Sequence, residues 1–235
     1  MYPHESPATI TSITLTVAFF NSLSGSIAYW RQKRIDFKSG LLFAITAIPG
    51  AIIGSFIVNY LSRGLFQYIF GSLLMIIALY LVFRPDKKLT GRFLNIWTTT
   101  CQITDAKNNT HRYCYNLPLG MVIAFFIGII SSLLGIGGGI IHVPALTQIL
   151  GFPTHIATAT SHFMIAITTL SSVITHILNH TYTGDVGRVM VLSAGAVIGA
   201  QFGARLSQKI SATVIVRLLA AGLAIVALRL LISPV

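Results

Sequence analysis

The chain contains a series of apolar runs of about 20 residues, separated by short polar stretches, and this pattern constrains its fold more than any other feature. The hydrocarbon core of a bilayer is about 30 Å thick, and a helix needs about 20 residues to cross it. Only 9% of the 235 residues are charged, which is too few to cover a water-facing surface. Membrane strands would alternate apolar and polar residues, and these runs do not. The sequence therefore predicts an all-α, polytopic helical membrane protein.

We predict about seven spans, and a polar region at residues 86–116 separates the third from the fourth. The spans cover Ala8–Tyr29, Ser39–Tyr60, Leu65–Phe83, Leu117–Leu134 (continuing through glycines to Leu150), Ala157–Leu178, Val189–Leu206 and Ala212–Ile232. The net charge of +11 comes mostly from Lys and Arg in polar loops. Such residues mark cytoplasmic loops and favour anionic lipid over nucleic acid as the partner. We expect a multi-pass protein of the cell (inner) membrane, with residues 86–116 in the cytoplasm.

An internal repeat divides the chain. A shift of 149 residues places the ATITS motif at 8–12 on the ATATS motif at 157–161, and Gly50 on Gly199, without gaps. We interpret residues 1–85 as repeat 1 and residues 117–235 as repeat 2, an organisation typical of secondary transporters.

The two repeats differ at their beginnings, because only the second carries a glycine-rich span before its motif. Repeat 1 therefore lacks its opening span. Translation starts upstream of Met1, or the gene is truncated, or the protein works without that element.

A full crossing by the glycine-rich segment makes the repeats parallel. If the segment turns back, the repeats are inverted and the loop with Arg205 and Lys209 is cytoplasmic, which the charges favour slightly.

The glycine-rich segment is the sharpest candidate site. Gly135, Gly137, Gly138 and Gly139 precede Pro144, and each glycine weakens a helix by about 1 kcal/mol relative to alanine. A broken helix exposes N–H groups and a partially positive N-terminus, which together bind anions. In transporters such breaks mark the substrate site. The alternative is that the small residues only let helices pack closely.

Hydroxyl groups of the ATxTS motifs are the next candidates for binding an anion, and they recur in both repeats at Thr9, Thr11, Ser12, Thr158, Thr160 and Ser161. They can donate to an anion, with the two sets facing each other, or only cap their helices. Asn21 inside the first span is a further candidate for lining the site. His142 and His162 are candidates for a proton or anion contact.

Several kinds of chemistry are disfavoured. The five acidic residues all lie outside the centres of the spans, so we expect no intramembrane carboxylate that binds a cation. Cys101 and Cys114 have only His111 nearby, which is too few ligands for zinc. We expect no metal, no cofactor and no enzymatic activity. An intramembrane hydrolase built on Ser161 and His162 is a weak alternative.

The chain resembles the TauE/SafE family of sulfite exporters. The resemblance is carried by LLGIGGGIIHVPAL and GFPTHIATATS within residues 128–161, and by NSLSG at 21–25, RID at 34–36 and PGAIIG at 49–54. It covers nearly the whole chain apart from residues 84–116. It implies a permease, usually of eight spans in two repeats, for small sulfur-containing anions such as sulfite, thiosulfate or organosulfonates. Relatives usually carry a first glycine motif, which is missing here.

The sequence thus favours a membrane transporter for small anions. The alternative from another class is a truncated, non-transporting membrane protein or a subunit of an assembly. The protein could be a homo-oligomer, and this question stays open because nothing in the sequence sets the oligomeric state.

Overall fold

A computed structural model describes residues 6–83, 98–106, 108–179, 186–206 and 210–232. Its elements are α1 (Pro7–Arg31), α2 (Phe37–Ile57, extended by a 3-10 turn at Val58–Tyr60), α3 (Arg63–Phe83), β1 (Thr98–Thr104), β2 (Thr110–Asn116), α4 (Leu117–Leu134), α5 (Gly139–Pro144, continued by a π-helical turn at Ala145–Ile149), α6 (Thr154–Leu178), α7 (Val186–Leu206) and α8 (Ala212–Ile232). Six of these helices are long and apolar enough to cross a membrane, and α8 has 21 residues. The predicted polytopic helical fold is confirmed.

Local sequence explains where several helices begin. The Ser6 hydroxyl accepts a hydrogen bond from the Thr9 N–H (3.2 Å), and Pro7 opens α1. The Asp36 carboxylate accepts from the Ser39 N–H (3.1 Å) at the start of α2. At α4, the Asn116 side chain accepts from the Leu119 N–H (3.1 Å). Each cap satisfies a backbone donor that the first helical turn leaves unpaired.

A two-stranded hairpin occupies most of the second half of the predicted polar region. The strands pair antiparallel from Thr98↔Asn116 to Thr104↔Thr110. The hairpin lies against the end of α1, where the Ala106 N–H donates to the Gln32 carbonyl (3.0 Å). We call this side of the molecule the hairpin face and the opposite side the far face. Residues 84–97 and Lys209 lie outside the described residues.

The segment after the glycines turns back instead of crossing the membrane. α4 starts next to the hairpin and ends at Leu134, which packs at the far face with Ala8 and Val58. The following residues return, because Leu150 and Phe152 pack with Tyr113 and Tyr115 of the hairpin. α4 and the helical segment Gly139–Ile149 therefore form a re-entrant pair, joined by the glycines.

Helices α1 and α6 run antiparallel. Near the hairpin face, the Tyr29 ring of α1 lies 5.4 Å from the ring of His162, close to the start of α6. Deeper in the bundle, Gly137 lies between Ala18 of α1 and Thr169 of α6. Adding 149 to the bounds of α2 and α3 gives the bounds of α7 and α8. The repeat stays a prediction, and an antiparallel α1–α6 pair is the course that inverted repeats require.

Candidate functional site: a glycine turn at mid-membrane depth

The turn between α4 and α5 has a backbone that requires glycine. Gly135, Gly137 and Gly138 have φ values of 70°, 72° and 81°, in the left-handed region that side chains disfavour. The first of these residues ends α4 and the last precedes α5. The helix break predicted from the glycines is present, and the sequence folds this way because three glycines accept this backbone without steric cost.

The turn lies deep in the bundle. A Cβ atom built on Gly137 would lie 2.8 Å from the Ala18 Cβ and 3.5 Å from the Thr169 Cγ2. Ala18 is near the middle of the 25 residues of α1, and Thr169 is in the middle third of the 25 residues of α6. Both Gly137 and Gly138 are buried. Gly137 therefore lies about halfway between the two faces, whereas Gly135, beside Thr11, lies nearer the far face.

Four consecutive N–H groups in the turn lack a backbone partner. The Ile136 N–H donates to the Ser131 carbonyl (3.2 Å), and the N–H groups of Ile141 and His142 both donate to the Gly138 carbonyl (3.0 and 2.8 Å). Between them, the N–H groups of residues 137 to 140 meet no backbone carbonyl within the described part of the chain. Gly137 and Gly138 are buried, and buried N–H groups are nearly always paired, so these donors call for an acceptor.

His142 is a polar side chain beside Gly138 of the turn. It is 2% exposed, and its Nδ1 lies 3.0 Å from the Gly138 carbonyl oxygen. A carbonyl oxygen only accepts, so Nδ1 carries a proton, and Nε2 of the neutral ring is left with a lone pair. No described residue hydrogen-bonds this Nε2. His142, a sequence candidate, therefore brings a free basic nitrogen to the region of the turn.

Serine hydroxyls border the same region. A Cβ built on Gly138 would lie 2.9 Å from the Ser131 Oγ. The Ser132 and Ser172 hydroxyls are 2.6 Å apart and join α4 to α6. None of these three serines was predicted from the sequence, because serines within apolar helices carry no distinctive pattern.

The ATxTS hydroxyls bond to carbonyls within their own helices. The Thr11 and Ser12 hydroxyls donate to the carbonyls of Pro7 (2.9 Å) and Thr9 (2.8 Å). In α6, Thr158 donates to Thr154 (2.8 Å) and Ser161 to Thr158 (2.9 Å). Neither Thr11 nor Thr160 caps its helix, because α1 is capped by Ser6 and α6 follows Pro153 without a side-chain cap.

The two ATxTS motifs do not face each other, so that expectation is wrong. Thr11 lies beside the turn, with its Cα 3.0 Å from a Cβ built on Gly135. Thr160 lies at the hairpin face, where its hydroxyl accepts from the Asp36 N–H (3.0 Å). Because α1 and α6 are antiparallel, motifs at their beginnings must lie at opposite ends. Of the two sets, only the one containing Thr9, Thr11 and Ser12 is near the turn.

The remaining candidates lie elsewhere. His162 and Thr158 line a cavity of about 290 Å³ between α1, α6 and α7, with Tyr29 and Gly203. Asn21 is half-buried near the middle of α1. The Ser161 hydroxyl donates to a backbone carbonyl, and no hydrogen bond joins it to His162 among the described residues. The geometry of a nucleophile with its base is thus not present in this structure.

The paired glycines of α2 and α7 have different surroundings. A Cβ on Gly50 or Gly54 would overlap a backbone carbonyl oxygen of α4, whereas Gly199 and Gly203 have nothing within 4 Å among the described atoms. Among the described atoms, close helix packing through small residues thus holds for the α2 pair and not for the α7 pair.

Comparison with known proteins decides the family. The family described as "Sulfite exporter TauE/SafE" matches residues 1–230. The chain belongs to this family. It is 29% identical over 221 residues to the "Probable membrane transporter protein YunE" of Bacillus subtilis, covering 93% of this chain and 79% of the relative. It is 23% identical over 201 residues to the "Probable membrane transporter protein YfcA" of Escherichia coli, covering 86% of this chain and 67% of the relative.

A third TauE/SafE relative is a "Probable membrane transporter protein" of Haemophilus influenzae, 24% identical over 200 residues, covering 85% of this chain and 71% of that protein. No solved structure matches the chain. The family and its relatives, together with the apolar helices, make this chain a multi-pass membrane transporter.

Proposed function

We propose that this TauE/SafE protein is a permease for small anions, with sulfite, thiosulfate or organosulfonates as the substrate class. One observation carries the proposal: four consecutive backbone N–H groups, at residues 137 to 140, have no backbone acceptor among the described residues and lie at mid-membrane depth, at the start of the helical segment Gly139–Ile149. Backbone N–H groups at a helix N-terminus attract negative charge. Non-helical backbone at this depth is tolerated where protein buries it or it lines a cavity.

The surroundings of the turn suit an anion. Among the described residues, the buried acids Asp36 and Asp105 belong to the hairpin face and its hairpin, so neither places negative charge near the turn. Hydroxyl donors such as Ser131 border it. Sulfur oxyanions present several acceptor oxygens at short spacing, which a run of adjacent donors can bind together.

His142 suggests how anion movement is driven. Its Nε2 accepts a proton because Nδ1 is held as a donor to Gly138. Protonation would place a cation near the bound anion, so that proton and anion move together. The membrane potential acting on the anion alone is the other driving force that these residues allow.

Charge distribution supports a cytoplasmic location for the hairpin face and, with it, insertion in the inner membrane. Six described basic residues lie at this face: Arg31, Lys33, Arg34, Lys38, Arg112 and Arg205. At the far face, Arg63 begins α3, Arg188 lies in the first turn of α7 and Arg229 in the last turn of α8. An excess of Lys and Arg marks the cytoplasmic side.

The test is uptake of radiolabelled sulfite, thiosulfate and an organosulfonate by proteoliposomes that contain wild type, Gly138→Ala or Gly139→Ala. Gly138→Ala forces a side chain into a left-handed backbone beside Ser131, at a cost of about 1–3 kcal/mol. At Gly139, an added Cβ meets only the flexible end of Ile165, at 3.0 Å. We expect flux in wild type and Gly139→Ala, and a loss of about tenfold or more in Gly138→Ala.

Two outcomes would contradict the proposal. Equal flux in all three proteins would remove the turn from the transport mechanism. No flux of any anion through folded wild type would favour the non-transporting alternative.

A further inference from the structure

The hairpin is fastened to the bundle through one buried carboxylate. Asp36 accepts hydrogen bonds from the Tyr113 hydroxyl (2.6 Å) and from the N–H and hydroxyl of Ser39. Because the Ser39 hydroxyl donates to Asp36, the Tyr115 hydroxyl donates to the Ser39 Oγ (2.5 Å). The Asp36 N–H donates to Thr160 of α6 (3.0 Å). Two hairpin tyrosines, α2 and α6 thus meet at a single point, which we call the Asp36 latch.

The same tyrosines pack over the segment that returns from the glycine turn to the hairpin face. Their rings pack on Phe152, at 4.5 Å for Tyr113 and 4.9 Å for Tyr115, and Phe43 of α2 lies 5.6 Å from Tyr115. All four rings are at most 5% exposed. Phe152 follows the helical segment that leads back from the turn. The rings therefore close the space between α2, α6 and the returning segment at this face.

The attachment can release without breaking a membrane helix. The hairpin is held by side-chain hydrogen bonds, by ring contacts, by the Arg34–Asp105 ion pair (3.5 Å) and by the backbone bond from Ala106 to Gln32. Its strands pair with each other and not with another sheet. The hairpin is therefore a compact unit that is attached to the helices at the hairpin face and continues into α4 through Asn116.

The protonation state of the two hairpin tyrosines favours the closed form of the Asp36 latch. Burial, followed by the hydrogen bond and charge of Asp36, raises the pKa of Tyr113 above its usual range, and burial also raises the pKa of Tyr115. Both phenols stay protonated donors at neutral pH.

We propose that the β1–β2 hairpin is the gate of the transporter at the hairpin face, closed by the Asp36 latch and released when the anion passes. This inference rests on the proposed function. In this proposal the Thr160 hydroxyl belongs to the closed gate and not to the anion site.

The chain contains the means to lock this gate. The Ser39 Oγ lies 3.9 Å from the Sγ of Cys101 on the hairpin, so Ser39→Cys places two thiols within reach of a disulfide. Cys114→Ser removes the other thiol, which pairs with Thr100 on the opposite surface of the hairpin. Burial raises the pKa of Cys101. Oxidation is therefore done at mildly alkaline pH, where the thiolate forms.

The experiment measures uptake of radiolabelled thiosulfate or an organosulfonate by proteoliposomes containing Ser39→Cys/Cys114→Ser, before oxidation, after it, and after reduction. Sulfite is avoided because it cleaves disulfides, and a mass spectrum after the assay verifies the bond. The matched control, Ser39→Cys/Cys101→Ala/Cys114→Ser, cannot form the bond. We expect oxidation of the double variant to reduce anion flux to the level of protein-free vesicles and reduction to restore the flux. The flux of the control should be the same with and without the oxidant.

The outcomes separate the gate from the proposed function. Flux that continues through protein with a complete disulfide would overturn the gate and leave the permease intact. Absence of flux in the reduced double variant and in wild type would overturn the permease, and the gate with it.

Discussion

Replacing Gly50 with alanine tests the contact that holds α4 against α2. The added Cβ would overlap the carbonyl oxygen of Phe125 and would lie 3.1 Å from its carbonyl carbon and 3.2 Å from the Ile129 nitrogen. All three are backbone atoms and cannot rotate away, so the two helices must separate. Overpacking typically costs about 1–3 kcal/mol, and we expect Gly50→Ala near the upper end of that range.

Gly199→Ala is the matched control, because Gly199 has the position of Gly50 in the predicted repeat. Nothing lies within 4 Å of its added Cβ among the described atoms. Replacing glycine in a helix with alanine gains up to about 1 kcal/mol. The gain in helix propensity is the same for both substitutions and cancels, so the expected difference of about 2–3 kcal/mol isolates the packing against α4.

The assay is equilibrium unfolding in mixed detergent micelles, followed by circular dichroism, with the free energy of unfolding compared among wild type, Gly50→Ala and Gly199→Ala. Equal stabilities for the two variants would refute the α2–α4 packing. A larger loss in Gly199→Ala would show that α7, not α2, carries the close helix contact.

Three further predictions concern topology, protons and pH. A single cysteine introduced at Arg205 should react with a membrane-impermeant thiol reagent from the same side as Cys114, and one at Asn179 from the opposite side. Labelling at Asn179 from the side of Cys114 and at Arg205 from the opposite side would contradict the re-entrant turn. In proteoliposomes, the anion flux of His142→Gln should not respond to an imposed pH gradient, because the variant lacks the imidazole nitrogen that binds a proton. A response equal to that of wild type would exclude His142 as the proton site. Burial and Asp36 raise the pKa of Tyr113 above the ordinary 10.0, so the stability that its docking contributes is full below about pH 10 and is lost as pH rises further. In thermal unfolding, Tyr113→Phe should therefore lose less stability at alkaline pH than wild type. Equal losses of stability would contradict the buried phenol.

The sequence predicts the helices well, because crossing a bilayer imposes length and composition on each segment. Gly135, Gly137 and Gly138 predict the break for a similar reason, since few other residues accept a left-handed backbone. The direction of the chain after the break is a tertiary property. It depends on packing around Leu150 and Phe152, so the sequence left parallel and inverted repeats open.

The hairpin and the relative direction of helices were harder to predict. Thr98–Thr104 and Thr110–Asn116 are rich in β-branched and aromatic residues, a strand signal that the polar character of the region obscured. The ATxTS motifs were expected to meet, but antiparallel α1 and α6 place Thr11 and Thr160 at opposite ends. No local pattern carries that information.

Locating a bound anion would test the central claim most directly. Selenite is a selenium analogue of sulfite, and its selenium gives an anomalous signal in crystals of the protein. The account predicts a selenium peak within hydrogen-bonding distance of the N–H groups of residues 137 to 140, lost in Gly138→Ala crystals and kept in Gly139→Ala crystals. A peak away from the turn, or none at a selenite concentration that saturates transport, would contradict the assignment of the glycine turn as the anion site.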